Sequence, residues 1–208
     1  MNNNPISILE SIPKYSEDLK LDLTSPRDRF LWFLASILFA KRISSSIAMN
    51  TFKLFVKYGL TSPDKIIEAG WNRIVDILDE GGYTRYDFST ASNLLEVMKK
   101  LINEYNGSVD KIHELSKDSR DLKSRLMEFK GIGPTAVNIF LRELRGIWSK
   151  ADPKISKYAA MVGKLIGLDN ENIKRYESPL VKIYINYCKK KNCRICPLKN
   201  YCKEKEIK

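Results

Sequence analysis

FKGIGPTAVNIFLRELRGIWSKAD, residues 129–152, reads as a helix end, a tight glycine hairpin, a second helix and a loop carrying an acidic residue. Leu122, Leu126 and Phe129 share one helical face before the hairpin; Ala136, Val137, Phe140, Leu141 and Leu144 share one after it. Between them stands Lys130-Gly131-Ile132-Gly133-Pro134. Gly131 and Gly133 permit backbone conformations closed to residues with a Cβ. Pro134 suits the first turn of the next helix, where its missing N–H costs nothing. The hairpin thus ends on a helix N-terminus, whose exposed N–H groups and positive dipole end suit a phosphate without any side-chain charge. A plain helix–turn–helix corner is the simpler reading of the two glycines taken alone.

The rest of the chain extends this helical pattern. A chain of 208 residues can bury a substantial core in one domain or two small ones. Thirty-six Lys and Arg against 25 Asp and Glu give a net charge of +11, which favours a polyanionic partner or an acidic surface. No run approaches the ~18 apolar residues of a membrane span. MNNNPISILESIPK lacks a basic segment followed by an apolar one, so no signal peptide is expected and the protein should be intracellular, in cytoplasm or nucleoid.

A short helix is predicted over 6–12. Ser25-Pro26-Arg27-Asp28 is a helix start, with cap, proline and an acid three residues on. The helix it opens, FLWFLASILFA over 30–40, is apolar on nearly every side and should be central and buried. Further helices are predicted over 45–58, from Ser62 to near Gly70, over 71–79, from Phe88 to 105, and over 108–115, 119–129 and 134–144. One more should start at Pro153 and end near Gly167, and a last one should run from Ser178 to Tyr187. No alternating β pattern of useful length occurs, so the fold class is all-α. His113, the only histidine, falls on a short surface helix and is given no role.

All four cysteines lie close to the C-terminus: Cys188, Cys193, Cys196 and Cys202, spaced C-x4-C-x2-C-x5-C. Four thiolates in one short loop can enclose a tetrahedral metal or a cubane cluster. Disulfides would need a more oxidising compartment. Spacing alone leaves zinc and [4Fe–4S] open.

The hairpin, Asp152 one helix downstream and the cysteine cluster together resemble the helix-hairpin-helix DNA glycosylases of the endonuclease III superfamily, over roughly residues 26–202. Their mark is a hairpin of the type L-P-G-[IV]-G, a helix, then an aspartate. Phe129-Lys130-Gly131-Ile132-Gly133 occupies the hairpin here and Ala151-Asp152 the aspartate position. The resemblance implies two helical domains flanking a DNA-binding cleft: a helical barrel over 26–146, and a second domain from 1–25 and 147–208. It also implies a C-terminal [4Fe–4S] cluster on Cys188, Cys193, Cys196 and Cys202, with zinc as the alternative. The family spacing is C-x6-C-x2-C-x5-C; the last three cysteines match and the first interval is shorter by two.

The function implied by the resemblance is hydrolysis of the N-glycosidic bond of a damaged or mismatched base in double-stranded DNA, by a monomer with no membrane association. Asp152 is the expected catalytic carboxylate, since a negative charge stabilises the cation that develops on the sugar as the base leaves. Asp152-Pro153 would otherwise read as a helix cap, a commoner use of aspartate. Members with lyase activity carry a lysine two residues after the second hairpin glycine; here that residue is Thr135. Without the amine, water should attack the sugar and no Schiff base should form, making a monofunctional enzyme. Lys130, Lys154 and Lys41 are the other lysines nearby that could restore a bifunctional reaction. A catalytically silent DNA binder on the same scaffold is the remaining alternative.

DNA contacts are expected from Lys130, Gly131, Ile132, Gly133 and Thr135 at the hairpin. Lys41 and Arg42 after the central helix, and Lys190 and Arg194 between the cysteines, should add to them. Tyr83, Arg85, Tyr86 and Asp87 form a polar aromatic loop that is the candidate base pocket, with ordinary partial burial as its alternative.

Overall fold

The computed structural model describes residues 4–203, and every described element is helical. The ends of the expected second domain, residues 1–3 and 204–208, lie outside the described residues. The chain divides into two compact units, Leu19–Pro153 and Met1–Asp18 with Lys154–Lys208.

The unit Leu19–Pro153 holds α3 (Pro26–Phe39), α4 (Ser45–Lys57), α5 (Pro63–Glu80), α6 (Asp87–Tyr105), α7 (Val109–Leu115), α8 (Ser119–Met127) and α9 (Pro134–Glu143). The run predicted to be apolar all round is the centre: every residue of α3 from Phe30 to Leu38 is buried. At roughly 1.5–3 kcal/mol for each large apolar side chain removed from water, no other helix of this unit contributes as much. The helices α4, α7 and α9 pack around it. Trp32 donates its indole N–H to the carbonyl of Phe140 on α9 at 3.0 Å, which satisfies its polar edge inside the core. Phe33 meets the rings of Phe129 and Phe140 edge-on, at 5.9 and 5.2 Å between centroids, so both sides of the hairpin are pinned to α3.

The two helices predicted on either side of Gly70 run end to end as α5, with the break at Gly70 itself (φ 72°, ψ 173°). That backbone conformation is nearly closed to residues with a Cβ, so the kink is placed by the glycine. A left-handed Asn106 (φ 52°) closes α6, as an αL helix end does.

The other unit holds α1 (Pro5–Glu10), α2 (Tyr15–Asp18), α10 (Lys157–Leu165), α11 (Asn170–Arg175) and α12 (Glu177–Ile183). Every residue of α12 is buried, Lys182 included. The Lys182 ammonium is held by the Asp18 carboxylate and the Pro13 carbonyl, and it lies 4.9 Å from the centre of the Tyr15 ring. A buried charge is tolerable only with such partners. After α12 the helix widens into a π turn, Tyr184–Cys188, where Lys189 N–H reaches back five residues to the Tyr184 carbonyl at 2.8 Å. Tyr184 stacks on Tyr158 of α10, centroids 4.3 Å apart.

Two sequence expectations fail here. Pro153 does not start a helix: residues 151–156 lie outside any helix, and α10 starts at Lys157 with Ser156 as its cap, whose hydroxyl accepts from Tyr158 N–H at 3.3 Å. Asp152 is therefore no helix cap. The last helix begins at Glu177 rather than Ser178, and α2 and α11 were not foreseen. Both are short, six residues or fewer, and carry too few apolar positions to show a period.

Candidate nucleic-acid and catalytic site

At the hairpin the two glycines turn out to differ. Gly131 has φ +75°, and a Cβ there would stand 2.5 Å from the Asn93 side-chain nitrogen on α6. Gly133 has φ −107° and ψ −178°, extended backbone open to any residue, and a Cβ on it would meet nothing within 4 Å. Of the two glycines only Gly131 uses the freedom that both have: it makes the turn, while Gly133 leaves open space in front of the α9 N-terminus. The first amides of α9 have no intrahelical acceptor, so that space faces N–H donors and a positive dipole end. Accordingly, Gly131→Val is expected to cost about 2–4 kcal/mol of stability through strain and the Asn93 clash. Gly133→Ala should melt within about 1 kcal/mol of the parent yet bind duplex more weakly. Thermal melts and salt-titrated binding on both variants check this; equal loss of stability in the two would return the hairpin to a plain corner.

The other hairpin residues divide between surface and core. Thr135 is exposed. Lys130 is exposed and its ammonium is paired with Glu96 at 2.6 Å. Ile132 is 5% exposed, so its side chain belongs to the core and only its backbone is left for a ligand. Lys41 is half-buried and Arg42 exposed in the turn after α3; Lys190 and Arg194 are exposed in the cysteine loop.

Asp152 sits in the irregular stretch after α9 with its side chain 63% exposed. Its loop is held from below by groups of the same unit. Lys123 Nζ and Ser119 Oγ on α8 donate to the Asp152 carbonyl at 2.6 and 3.3 Å. Arg145 donates Nη2 to the Pro153 carbonyl at 2.7 Å, and its Nε lies 3.8 Å from Asp152 Oδ1. One step back, Lys150 donates to the His113 carbonyl at 2.7 Å, and the His113 ring stacks on buried Trp148 at 4.8 Å. Burial first, then the Lys150 ammonium, lowers the His113 pKa below its ordinary value. Sequence reasoning missed Arg145, Lys123 and Ser119. A cation at a helix end reads as a dipole partner, and only the fold aims it at a loop.

The candidate base pocket separates into core and surface. Tyr83 is fully buried, and its hydroxyl donates to the Leu38 carbonyl at 2.8 Å. Its ring is thus committed to the core rather than offered to a base. Tyr86 is half-buried and edge-on to Tyr83 at 6.4 Å, with the Arg85 guanidinium 5.4 Å over its ring. Asp87 begins α6 and accepts from the Phe88 N–H at 2.7 Å.

None of the four cysteines is in a disulfide, and Cys196 alone among them is buried. Their loop is a series of tight turns: Lys191 N–H to Cys188 O, Cys196 N–H to Cys193 O, and Cys202 N–H to Leu198 O, at 3.1, 3.2 and 3.1 Å. Buried Leu198 and the bond from Lys203 N–H to Leu165 O anchor it to α10. Burial, then the three neighbouring thiols, pushes Cys188 up to about 11, and burial raises Cys196 as well. An all-thiol set is soft, and by its chemistry suits iron–sulfur or zinc. Among the described residues, however, no three His, Cys, Asp or Glu side chains are gathered closely enough to form a metal-binding group. No described helix is long and apolar enough to cross a membrane.

With this geometry established, the chain can be set beside known proteins. No family model matches it. Endonuclease III of Rickettsia conorii is 28% identical over 94% of this chain and 93% of its own length. Endonuclease III of Rickettsia felis is 28% identical over 94% and 92%. Among solved structures, a thermostable thymine-DNA glycosylase matches with a TM-score of 0.55 over 97% of this chain and 94% of its own, at 15% identity, a likeness of fold alone. The chain shares the all-helical fold of that structure. In sequence it resembles the endonuclease III proteins along nearly its whole length.

Proposed function

We propose that the chain is a base-excision DNA glycosylase of the monofunctional kind, hydrolysing the N-glycosidic bond of a damaged or mismatched base and leaving an intact abasic site. The endonuclease III relatives support the glycosylase. The single observation that carries the mechanism is an exposed carboxylate, Asp152, on a loop held by three side chains, in a chain whose hairpin helix offers Thr135 where a lyase would carry an amine.

On this reading Leu19–Pro153 is the barrel domain. Its hairpin takes a phosphate on the α9 amides, with Gly133 giving the backbone room to approach. Lys41, Arg42, Lys190 and Arg194 add phosphate contacts. Tyr86, Arg85 and Asp87 border the place of the extruded base. The Asp152 carboxylate stabilises the positive charge that grows on the sugar, or takes the proton of the attacking water. Cys188, Cys193, Cys196 and Cys202 would hold a [4Fe–4S] cluster, with zinc as the alternative. Such a cluster supplies cross-links that fix the basic loop. The partner is double-stranded DNA, and the protein acts inside the cell as a monomer.

A panel of duplexes, each with one lesion, scored for abasic-site formation tests the activity. Absence of base release from every lesion would favour a silent DNA binder. The bifunctional reading gains one observation: Lys123 brings its amine to the Asp152 backbone. Borohydride is nevertheless expected to trap no protein–DNA adduct during turnover, and strand breaks should appear only after alkali. An adduct lost in Lys123→Ala, Lys154→Ala or Lys41→Ala would make the enzyme bifunctional.

A further inference from the structure

The Arg145 side chain is largely buried, 16% exposed, and faces an Asp152 side chain that is 63% exposed. The guanidinium reaches two adjacent residues: Nη2 donates to the Pro153 carbonyl at 2.7 Å, and Nε makes an ion-pair contact, longer than a hydrogen bond, with Asp152 Oδ1 at 3.8 Å. A guanidinium holds such a two-point geometry and an ammonium does not. Lys123 and Ser119 fix the Asp152 carbonyl, which leaves the direction of its side chain to be set by other groups. We infer that Arg145 is a positioning residue, aiming the Asp152 carboxylate at the sugar without touching DNA itself. The inference rests on the reading of Asp152 given above.

Two effects of the arginine oppose each other. Its positive charge weakens the pull of the carboxylate on a developing cation. Its fork limits the wells open to an exposed aspartate, which otherwise spreads over three χ1 rotamers. The charge effect is screened because the carboxylate is mostly in water. The positional effect is not screened, and a displacement near 1 Å can cost about a hundredfold in rate. Positioning wins, so removing Arg145 should weaken recognition of a cationic sugar.

The test needs no knowledge of the damaged base. Two duplexes are compared that differ at one site, a cationic pyrrolidine abasic analogue or a neutral tetrahydrofuran one. The wild-type chain is expected to prefer the cationic duplex by about tenfold or more, and Asp152→Asn to lose that preference. Arg145→Met should bring the ratio within about threefold of unity, while Arg145→Lys, with the charge but not the fork, should recover only part of it. Thermal melts accompany each variant; if Arg145→Met does not fold, Arg145→Gln takes its place. A folded variant without the guanidinium that keeps or exceeds the wild-type ratio overturns the positioning role, an excess meaning that the arginine only opposes the carboxylate. Equal ratios for wild type and Asp152→Asn sink the glycosylase reading itself, a pattern distinct from loss of the arginine effect alone.

Discussion

Asp152→Asn is expected to release base more slowly by a factor on the order of 10² or more, while duplex affinity persists or rises. The substitution keeps size and much of the hydrogen bonding and removes the charge. It is a clean test because α10 is capped by Ser156. The Asp152 backbone carbonyl keeps Lys123 and Ser119 whatever the side chain. A loss of rate therefore cannot be assigned to a damaged helix start. Single-turnover release from whichever lesion the panel identifies, with binding measured alongside, checks it. Release within a few-fold of wild type would remove the carboxylate from the chemistry.

The second large effect is expected at the cysteine loop. Protein purified without oxygen should be brown, with broad absorbance near ~400 nm. Cys196→Ser should lose iron and colour together. Cys196 is the buried cysteine of the set and sits between two of the loop's turns, so its loss should loosen the segment most. Tryptic cleavage after Lys189, Lys190, Lys191 and Arg194 should quicken. The unit keeps α12 as an independent core. The stability lost should thus be only part of the ~10 kcal/mol or more that metal can supply to a domain with no other core. Stoichiometric zinc without iron would replace the iron–sulfur assignment, and unchanged colour in Cys196→Ser would remove that residue from the ligand set.

Much of this architecture is legible in the chain. The all-round apolar character of α3 announced a central helix, and the glycine at position 70 announced a break that the backbone confirms. The failures share a cause: side chains distant in sequence take over a local decision. Pro153 looks like a first-turn proline, but its carbonyl is claimed by Arg145 and that of Asp152 by Lys123 and Ser119, so the segment stays out of the helix. Tyr83 looks like part of a polar aromatic loop, yet the Leu38 carbonyl lies within reach of its hydroxyl and the ring sinks into the core. Gly133 looks like a second turn-making glycine, although its dihedral angles demand none. Asp152 is a candidate from its place in the motif alone. The clamp beneath it cannot be read from the chain, because no spacing rule connects positions 119, 123, 145 and 152.

The π turn between α12 and the cysteine loop acts as a phase shifter. A π turn takes in about one residue more than an α turn, and each residue is worth about 100° of rotation. The buried helix Glu177–Ile183 fixes its own register, since sliding it would pull the Lys182 ammonium from the Asp18 carboxylate and the Pro13 carbonyl. The direction in which Cys188 leaves that helix is therefore set by the bulge and not by the core. Length changes in residues 184–187 can redirect the loop by about a quarter-turn per residue while Leu180 and Ile183 stay where they are. The core helix and the loop that follows it are thus separately adjustable.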